Sequence, residues 1–405
     1  MQTLGAVLDD QKGFGRGFDF LRIVLATGII AWHTAQLSGH TEIARASVFW
    51  FSEYVLVPMF FALSGFLVAG SSERLSVKDF LLNRGARIVP ALAVDVLFAA
   101  VLIGPLVTTL PAGQYFTDPG FFSYFLNISG WIHYELPGVF KTNPSTEVNG
   151  ALWTVPLEII CYLIIIGLMV LGAIKRPGIV PLITCVVLIL QVPLRVVASK
   201  FVSDDPTTLE IVLMNLFLYR GSLLWPSFLI GISIYQLRYY VPYSRVAAIG
   251  VVGAGILLSA IGNHADLFSN AGFGHAVAHS IIIPLLAYLT VMVGLSPMPR
   301  LPGFGSGDYS YGLYLYHVPF LQLLIYCFPG AWTGDGWWTL FLAGFPLSLL
   351  AAVISWHLFE YPVLRFRNSF RVKHAPSHGA AAIGLTPVPL RPAVVFRDSK
   401  VSSPS

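Results

Sequence analysis

The sequence predicts an all-α, polytopic transmembrane helix bundle of about ten spans with both termini in the cytoplasm. Three observations predict it. Charged residues make up 11% of the 405 residues against 56% hydrophobic, with a mean hydropathy of +0.73, whereas soluble domains carry about 25% charged residues. Ten apolar stretches can be drawn, at about 18–36, 49–70, 88–109, 152–173, 179–198, 211–237, 246–262, 279–296, 310–328 and 338–359. The basic residues divide unevenly between the two sides those stretches define. Sixteen share the side of the N-terminus, and only Arg45, Lys141, Arg195, Lys200 and Arg220 lie opposite, with three more in the distal tail. Positive charge concentrates on cytoplasmic loops, so this bias supports both the count and the orientation.

Composition also excludes several classes. The basic residues flank hydrophobic spans and form no soluble patch, so no nucleic-acid partner is expected. Cys161, Cys185 and Cys327 all sit inside apolar runs, which gives neither a disulfide framework nor a metal-ligand spacing. Residues 1–17 read as a cytoplasmic N-terminal segment without a signal-peptide pattern, so the first apolar stretch is a retained anchor. Residues 18–365 form the transmembrane domain. Residues 366–405 read as a cytoplasmic, largely disordered tail, rich in Ala, Pro, Ser and Val.

The first stretch, Phe18 to Thr34, carries ionisable residues at both ends. Asp19 and Arg22 are three apart and share a helix face, where they can pair and brace the helix. His33 follows roughly 21 Å further along at helical rise, deep in a hydrocarbon core of about 30 Å. An intramembrane imidazole is costly unless it faces a polar interior, which makes His33 a functional candidate. The second stretch contains Ser64 and Gly65, small residues that permit close helix approach.

Between the second and third stretches runs KDFLLNRGARIVP, residues 78–90. Arg84 and Arg87 face the same way if this segment is helical, and two planar guanidinium forks suit a phosphate or pyrophosphate. The competing readings are the positive-inside bias itself and lipid headgroup binding. The segment from Pro111 to Gly150 is the one long outer loop; its many aromatics place it along the outer interface or dipping into it, as anchors or as rings that stack on a sugar. Asn127 there begins a glycosylation sequon, a pattern too common to carry weight.

The fourth stretch opens with NGALWTVPLEIICY, residues 149–162. Trp153 precedes Glu158, whose carboxyl must be protonated or paired with a cation such as an arginine or His33. Glu158 could equally lock helices together through one polar contact. The ninth begins DYSYGLYLYHVPF, residues 308–320. Tyr309, Gly312 and Tyr316 form a stripe that could line a polar cavity with His317, or simply pack between helices through hydroxyl contacts. His357 and Glu360 close the tenth stretch. Asp95 and His279 are further intramembrane ionisable residues with no evident role.

Arg16-x-x-Asp19-x-Leu21-Arg22 followed by His33, FFALSGFL at 60–67, Arg84-x-x-Arg87-x-x-Pro90 and the two blocks just quoted occur in one order. Together they resemble the acyltransferase-3 family, bacterial multi-spanning transferases that O-acylate surface polysaccharides and related acceptors. The resemblance covers about residues 14–365. It implies that His33 is the essential first-span histidine, acting as general base on an acceptor hydroxyl or as a transiently acylated nucleophile. It implies too that Arg84 and Arg87 hold the acyl-CoA. Glu158 would be the catalytic carboxylate of the tryptophan-containing block, orienting or polarising a partner. Arg16, Asp19, Arg22, Ser64, Trp153, Tyr309, Tyr316 and His317 would form a supporting polar network. The donor would be a cytoplasmic acyl-CoA, acetyl-CoA first among them, used as a substrate with no permanently bound cofactor and no metal. The acceptor would be a glycan hydroxyl outside the cell, and the location the bacterial cytoplasmic membrane. Some relatives fuse an extracytoplasmic SGNH domain after the transmembrane part; none is expected here, which leaves room for polysaccharide-assembly proteins as partners beside the membrane lipids. A polytopic transporter or flippase of an envelope glycan or small solute is the alternative that spans and intramembrane charge alone leave open. An inverted repeat or helices broken at matching positions would favour it.

Overall fold

A computed structural model describes residues 2–13, 15, 17–47, 52–198, 206–217, 221–265, 273–299, 307–332 and 334–373. Arg16 and the tail from 374 onward lie outside the described residues. In order come α1 (Leu4–Asp10), α2 (Phe18–Leu37), α3 (Thr41–Ala46), α4 (Ser52–Ser72), α5 (Val77–Leu97), α6 (Gly104–Val107), α7 (Ala112–Thr117) and α8 (Pro119–Tyr124). They are followed by α9 (Val155–Val170), α10 (Ile179–Ala198), α11 (Thr208–Phe217), α12 (Gly221–Gln236), α13 (Arg245–Ala265) and α14 (Phe273–Leu295). The last three are α15 (Ser310–Cys327), α16 (Thr339–Ser355) and α17 (Tyr361–Lys373). Among the described residues the regular structure is all-α, with one isolated bridge between Thr3 and Pro242.

Each of the ten apolar stretches is helical, the sixth in two pieces, α11 and α12. Five segments are long and apolar enough to cross a membrane: Phe18–Leu37, Tyr54–Ser72, Val77–Val107, Gly150–Val170 and Gly334–Arg367. The bent pair of α11 and α12 would be a sixth, and shorter apolar helices accompany them. The chain is therefore a multi-pass membrane protein with an all-helical body. Large apolar side chains on its outside fit a lipid surface, among them Leu163 and Leu106.

The third apolar stretch starts earlier than its hydropathy indicates. Ser76 caps α5, its side chain accepting the Asp79 backbone N–H at 3.1 Å, as N-cap serines do. The helix then runs unbroken through Arg84, Arg87 and Pro90. Both arginines therefore sit on a helix and not on a linker before it. A π turn, Phe98–Ile103, follows; the Tyr115 hydroxyl donates to the Ala100 carbonyl there at 2.7 Å, satisfying a group that the wider turn leaves open.

Residues 111–150 pack inward at some positions and leave others, Phe122 and Trp131 among them, exposed. Tyr115, Tyr124, Leu136, Val139, Phe140 and Val148 are buried against α5 and its π turn. Asn143 donates to the Gln322 side chain at 2.8 Å, and Gln322 donates back to the Ser145 and Glu147 carbonyls. Asn127 is fully buried, and its amide closes a loop on the His133 backbone at both ends, so the sequon there is structural. The helix α17 continues to Lys373, so the start of the expected tail is helical.

The closest helix contact is between α4 and α12. A Cβ on Gly65 would run into the Phe228 carbonyl oxygen, and one on Gly231 into the Ala62 carbonyl oxygen. The small residues of the second stretch thus serve the close approach expected of them. Overpacking a filled site costs about 1–3 kcal/mol and more where backbone must yield. Gly231→Val should therefore lower the detergent melting temperature of the purified protein clearly. Gly253→Val on α13, where a Cβ meets nothing within 4 Å, should leave it within a degree or two.

Candidate active site

The strongest clustering of charge lies where α2, α5 and α15 meet. Asp308, just ahead of α15, accepts from Arg22 at 3.2 Å and forms a short ion pair with Arg87. Ser310 donates to its other oxygen at 2.6 Å. Arg22 also reaches Asp19 at 3.3 Å, but the Asp19 side chain is 90% exposed. The expected brace between Asp19 and Arg22 thus exists, although Asp308 is the more sheltered partner.

Beside this cluster a cavity of about 140 Å³ opens between α4, α5, α9 and α15. Arg22, Ser64, Arg84, Arg87 and Glu158 all line it. Five residues selected from four separate stretches of sequence therefore share one space. Glu158 accepts the Tyr162 hydroxyl at 2.5 Å, one helical turn on. The Arg84 guanidinium lies 5.7 Å from the Phe80 ring centre, a cation–π distance. Guanidiniums, a carboxyl and phenols converge there in a largely apolar shell, a donor set of the kind that suits an anionic ligand.

His33 and His317 form a second cluster at the level of the adjacent α15 turn. His33 Nδ1 lies 2.6 Å from His317 Nε2, and His317 Nδ1 lies 2.7 Å from the Tyr314 carbonyl oxygen. His317 is fully buried and His33 half-buried. Tyr314 joins the two clusters: it lines the cavity, and its hydroxyl contacts Thr154 at 2.8 Å and the Ala151 carbonyl at 3.0 Å.

The tyrosine stripe resolves into packing. Tyr309 pairs with His357 at 3.1 Å, Tyr316 donates to Ser355 at 2.7 Å, and Gly312 abuts Ala352. The cavity instead receives Tyr311 and Tyr314. At 100° per residue those two fall on the face of α15 away from positions 309, 312 and 316. Trp153 packs against the cluster of Phe61, Leu157 and Phe228. Asp95 is buried and accepts from Asn149 at 2.8 Å. Asn149 also satisfies the Leu315 carbonyl at 2.9 Å, whose helical partner would be the N–H that Pro319 lacks.

Sequence reasoning left Asp308, Tyr162, Tyr311 and Tyr314 without a role. Asp308 alone had a usable signal: an acidic residue heading an apolar helix, in a chain whose third apolar stretch is preceded by two arginines with no acidic residue three or four places away to pair with both. Removing it leaves two guanidiniums facing each other. Asp308→Ala should cost about 3 kcal/mol, the low end for breaking a buried pair because Arg87 stays 37% exposed. Thermal unfolding in detergent would read this as a lower midpoint. Asp19→Ala should shift it by no more than an exposed pair is worth, about 0.2–1 kcal/mol.

Comparisons with known proteins identify the family. A family model described as an acyltransferase domain matches residues 16–357. An O-acetyl transferase of Shigella phage Sf6 is 26% identical over 361 residues, 85% of this chain and 94% of the relative. Nodulation protein 10 of Rhizobium leguminosarum bv. viciae is 26% identical over 395 residues, 90% of this chain and 98% of the relative. No solved structure matches the chain. The family match sets aside the carrier or flippase alternative: the chain belongs to the acyltransferase-3 family and is a membrane acyltransferase.

Proposed function

We propose that this enzyme moves an acyl group, acetyl first, from a cytoplasmic acyl-CoA to a hydroxyl of a surface glycan. In this reading it crosses a bacterial cytoplasmic membrane ten times with both termini inside. The observation that carries it is one cavity in which Arg22, Arg84, Arg87 and Glu158 meet, walled by the tyrosine whose carbonyl holds His317 against His33. The name of the phage relative supports an acetyl group. The charge bias of the loops supports the orientation.

Arg84 and Arg87, with Arg22 beside them, hold the donor phosphates by charge-assisted hydrogen bonds. The narrow arm carrying the thioester enters the cavity towards Tyr314. His33 takes the proton of the acceptor hydroxyl as its oxygen attacks the thioester carbonyl. The carbon–sulfur bond breaks, and the leaving sulfur receives the proton, so ester and free thiol are the products. Glu158 and Tyr162 polarise the arm's amide groups from the cavity wall. The glycan meets the site from the outer face, delivered by the envelope assembly machinery.

The test is transfer of label from radiolabelled acetyl-CoA to envelope glycan in membranes with matched protein levels. His33→Ala should lower turnover by about 10²–10⁴-fold, the usual contribution of a general base. Arg84→Ala/Arg87→Ala should raise the KM for the donor about tenfold or more, since hydrogen bonds to charged groups are each worth about 1.5–3 kcal/mol. Label persisting with His33→Ala would overturn the role of His33. Wild-type membranes that use neither acetyl-CoA nor other short acyl-CoAs would overturn the donor assignment.

A further inference from the structure

The contacts of the two histidines determine where their protons sit. A carbonyl oxygen only accepts, so His317 Nδ1, 2.7 Å from the Tyr314 carbonyl, must carry a hydrogen. A neutral imidazole has one N–H and one lone pair, so His317 Nε2 presents its lone pair. Two lone pairs cannot face each other at 2.6 Å, so His33 Nδ1 must donate to it. The rings suit such a bond. Their planes differ by 25° and their centres are 4.8 Å apart while the facing nitrogens are 2.6 Å apart. They therefore meet edge to edge, with each nitrogen's σ direction near the plane of the other ring.

We infer that His317 is a positioning residue that locks His33 in the Nδ1–H tautomer and so keeps the basic lone pair on His33 Nε2. The inference rests on the reading of His33 as the base and specifies which of its nitrogens acts. His317 is held by the α15 backbone and is fully buried, so it does not meet the substrate. In the transfer step His33 Nε2 accepts the hydroxyl proton while Nδ1 keeps its own. The imidazolium that forms donates through Nδ1–H to the His317 lone pair. When the leaving sulfur takes the Nε2 proton, His33 returns to the tautomer it began in. Nothing is gained or lost at His317, which keeps its hydrogen on the Tyr314 carbonyl throughout. Without this acceptor His33 is free to turn or to carry its hydrogen on Nε2, where it can no longer serve as the base.

Two substitutions separate acceptance from bulk. Phenylalanine fills the ring volume without a lone pair, whereas glutamine can present an amide oxygen to His33 Nδ1. Using membranes of full-length protein and labelled acetyl-CoA, His317→Phe should lower kcat by roughly 10²–10⁴-fold, as loss of the correct tautomer does in other histidine-based sites. The donor KM should change by less than about twofold, because only interactions specific to the transition state are lost. His317→Gln should recover at least about tenfold over His317→Phe. His33→Ala/His317→Phe should be no worse than His33→Ala, since residues acting as a unit are not additive. Independently, the ¹⁵N solid-state NMR spectrum of the wild type, with His33 assigned by its loss in His33→Ala, should show a protonated Nδ1 and a bare Nε2.

Wild-type kcat in His317→Phe, with His33→Ala inactive, would overturn the inference and leave the base assignment standing. So would glutamine performing no better than phenylalanine, or a wild-type His33 protonated on Nε2. Activity in His33→Ala would instead remove the base assignment and this inference with it. If His317→Phe does not accumulate, the wild-type spectrum decides alone.

Discussion

One carboxylate holds the charged end of this site together. Asp308 neutralises arginines from α2 and α5 at the head of α15, and lipid offers no substitute for such a partner. The bridge fixes the relative depth of three helices, and with it the height at which Arg84 enters the cavity. Arg22, Arg84 and Arg87 face Asp308, Glu158 and the exposed Asp19, so the charges balance only when all three carboxyls are ionised. Of the three, only Glu158 lines the cavity beside the arginines.

The same constraint shapes the opposite part of the bundle with uncharged groups. Pro319 deprives the Leu315 carbonyl of its helical partner, and Asn149 supplies one while also meeting Asp95. Gln322, one turn beyond Pro319, ties α15 to the carbonyls of Ser145 and Glu147. Residues 111–150 are thus strapped onto α15 by amides that would be costly to leave unsatisfied. This helix therefore carries three kinds of polar work on different faces: Asp308 towards the arginines, Tyr311 and Tyr314 towards the cavity, and Tyr309 and Tyr316 towards α16 and the turn after it.

Hydropathy made every apolar stretch legible as helix, because a lipid-facing surface and a helical period are both written in local composition. Arg22, Arg84, Arg87, Glu158 and Ser64 were each legible as polar residues in apolar surroundings, and they do share a cavity. The start of α5 was not legible, since Ser76 and its capping contact extend a helix through residues too polar to score. Which of residues 111–150 turn inward was not legible, because aromatics suit an interface and a buried cap equally well. The tyrosine stripe left packing and cavity lining both open for a sharper reason. Periodicity identifies residues that share a face but cannot say which neighbour that face meets, and 309, 312 and 316 meet α16 and its following turn. The contact between His33 and His317 spans 284 positions of sequence, and local spacing holds no record of such pairs.

In the proposed reaction the separation of charge from base has a consequence for the chemistry. Along α2, Arg22 and His33 are eleven residues apart, about 17 Å at helical rise. At that distance and an effective dielectric near 20, even one uncompensated arginine would act on a forming imidazolium with only about 1 kcal/mol. That is less than a tenfold effect on rate, and a bound anion would cancel it. The arginines can therefore concentrate and hold an anion without spoiling a base placed deep in the same bundle. A partner that meets His33 at short range is His317, anchored to the Tyr314 carbonyl and neutral in this reading. A carboxylate in that position would stabilise the imidazolium more strongly, but it would add a buried charge needing compensation at every stage of the cycle. An imidazole supplies the lone pair without that charge, which suits a site surrounded by lipid.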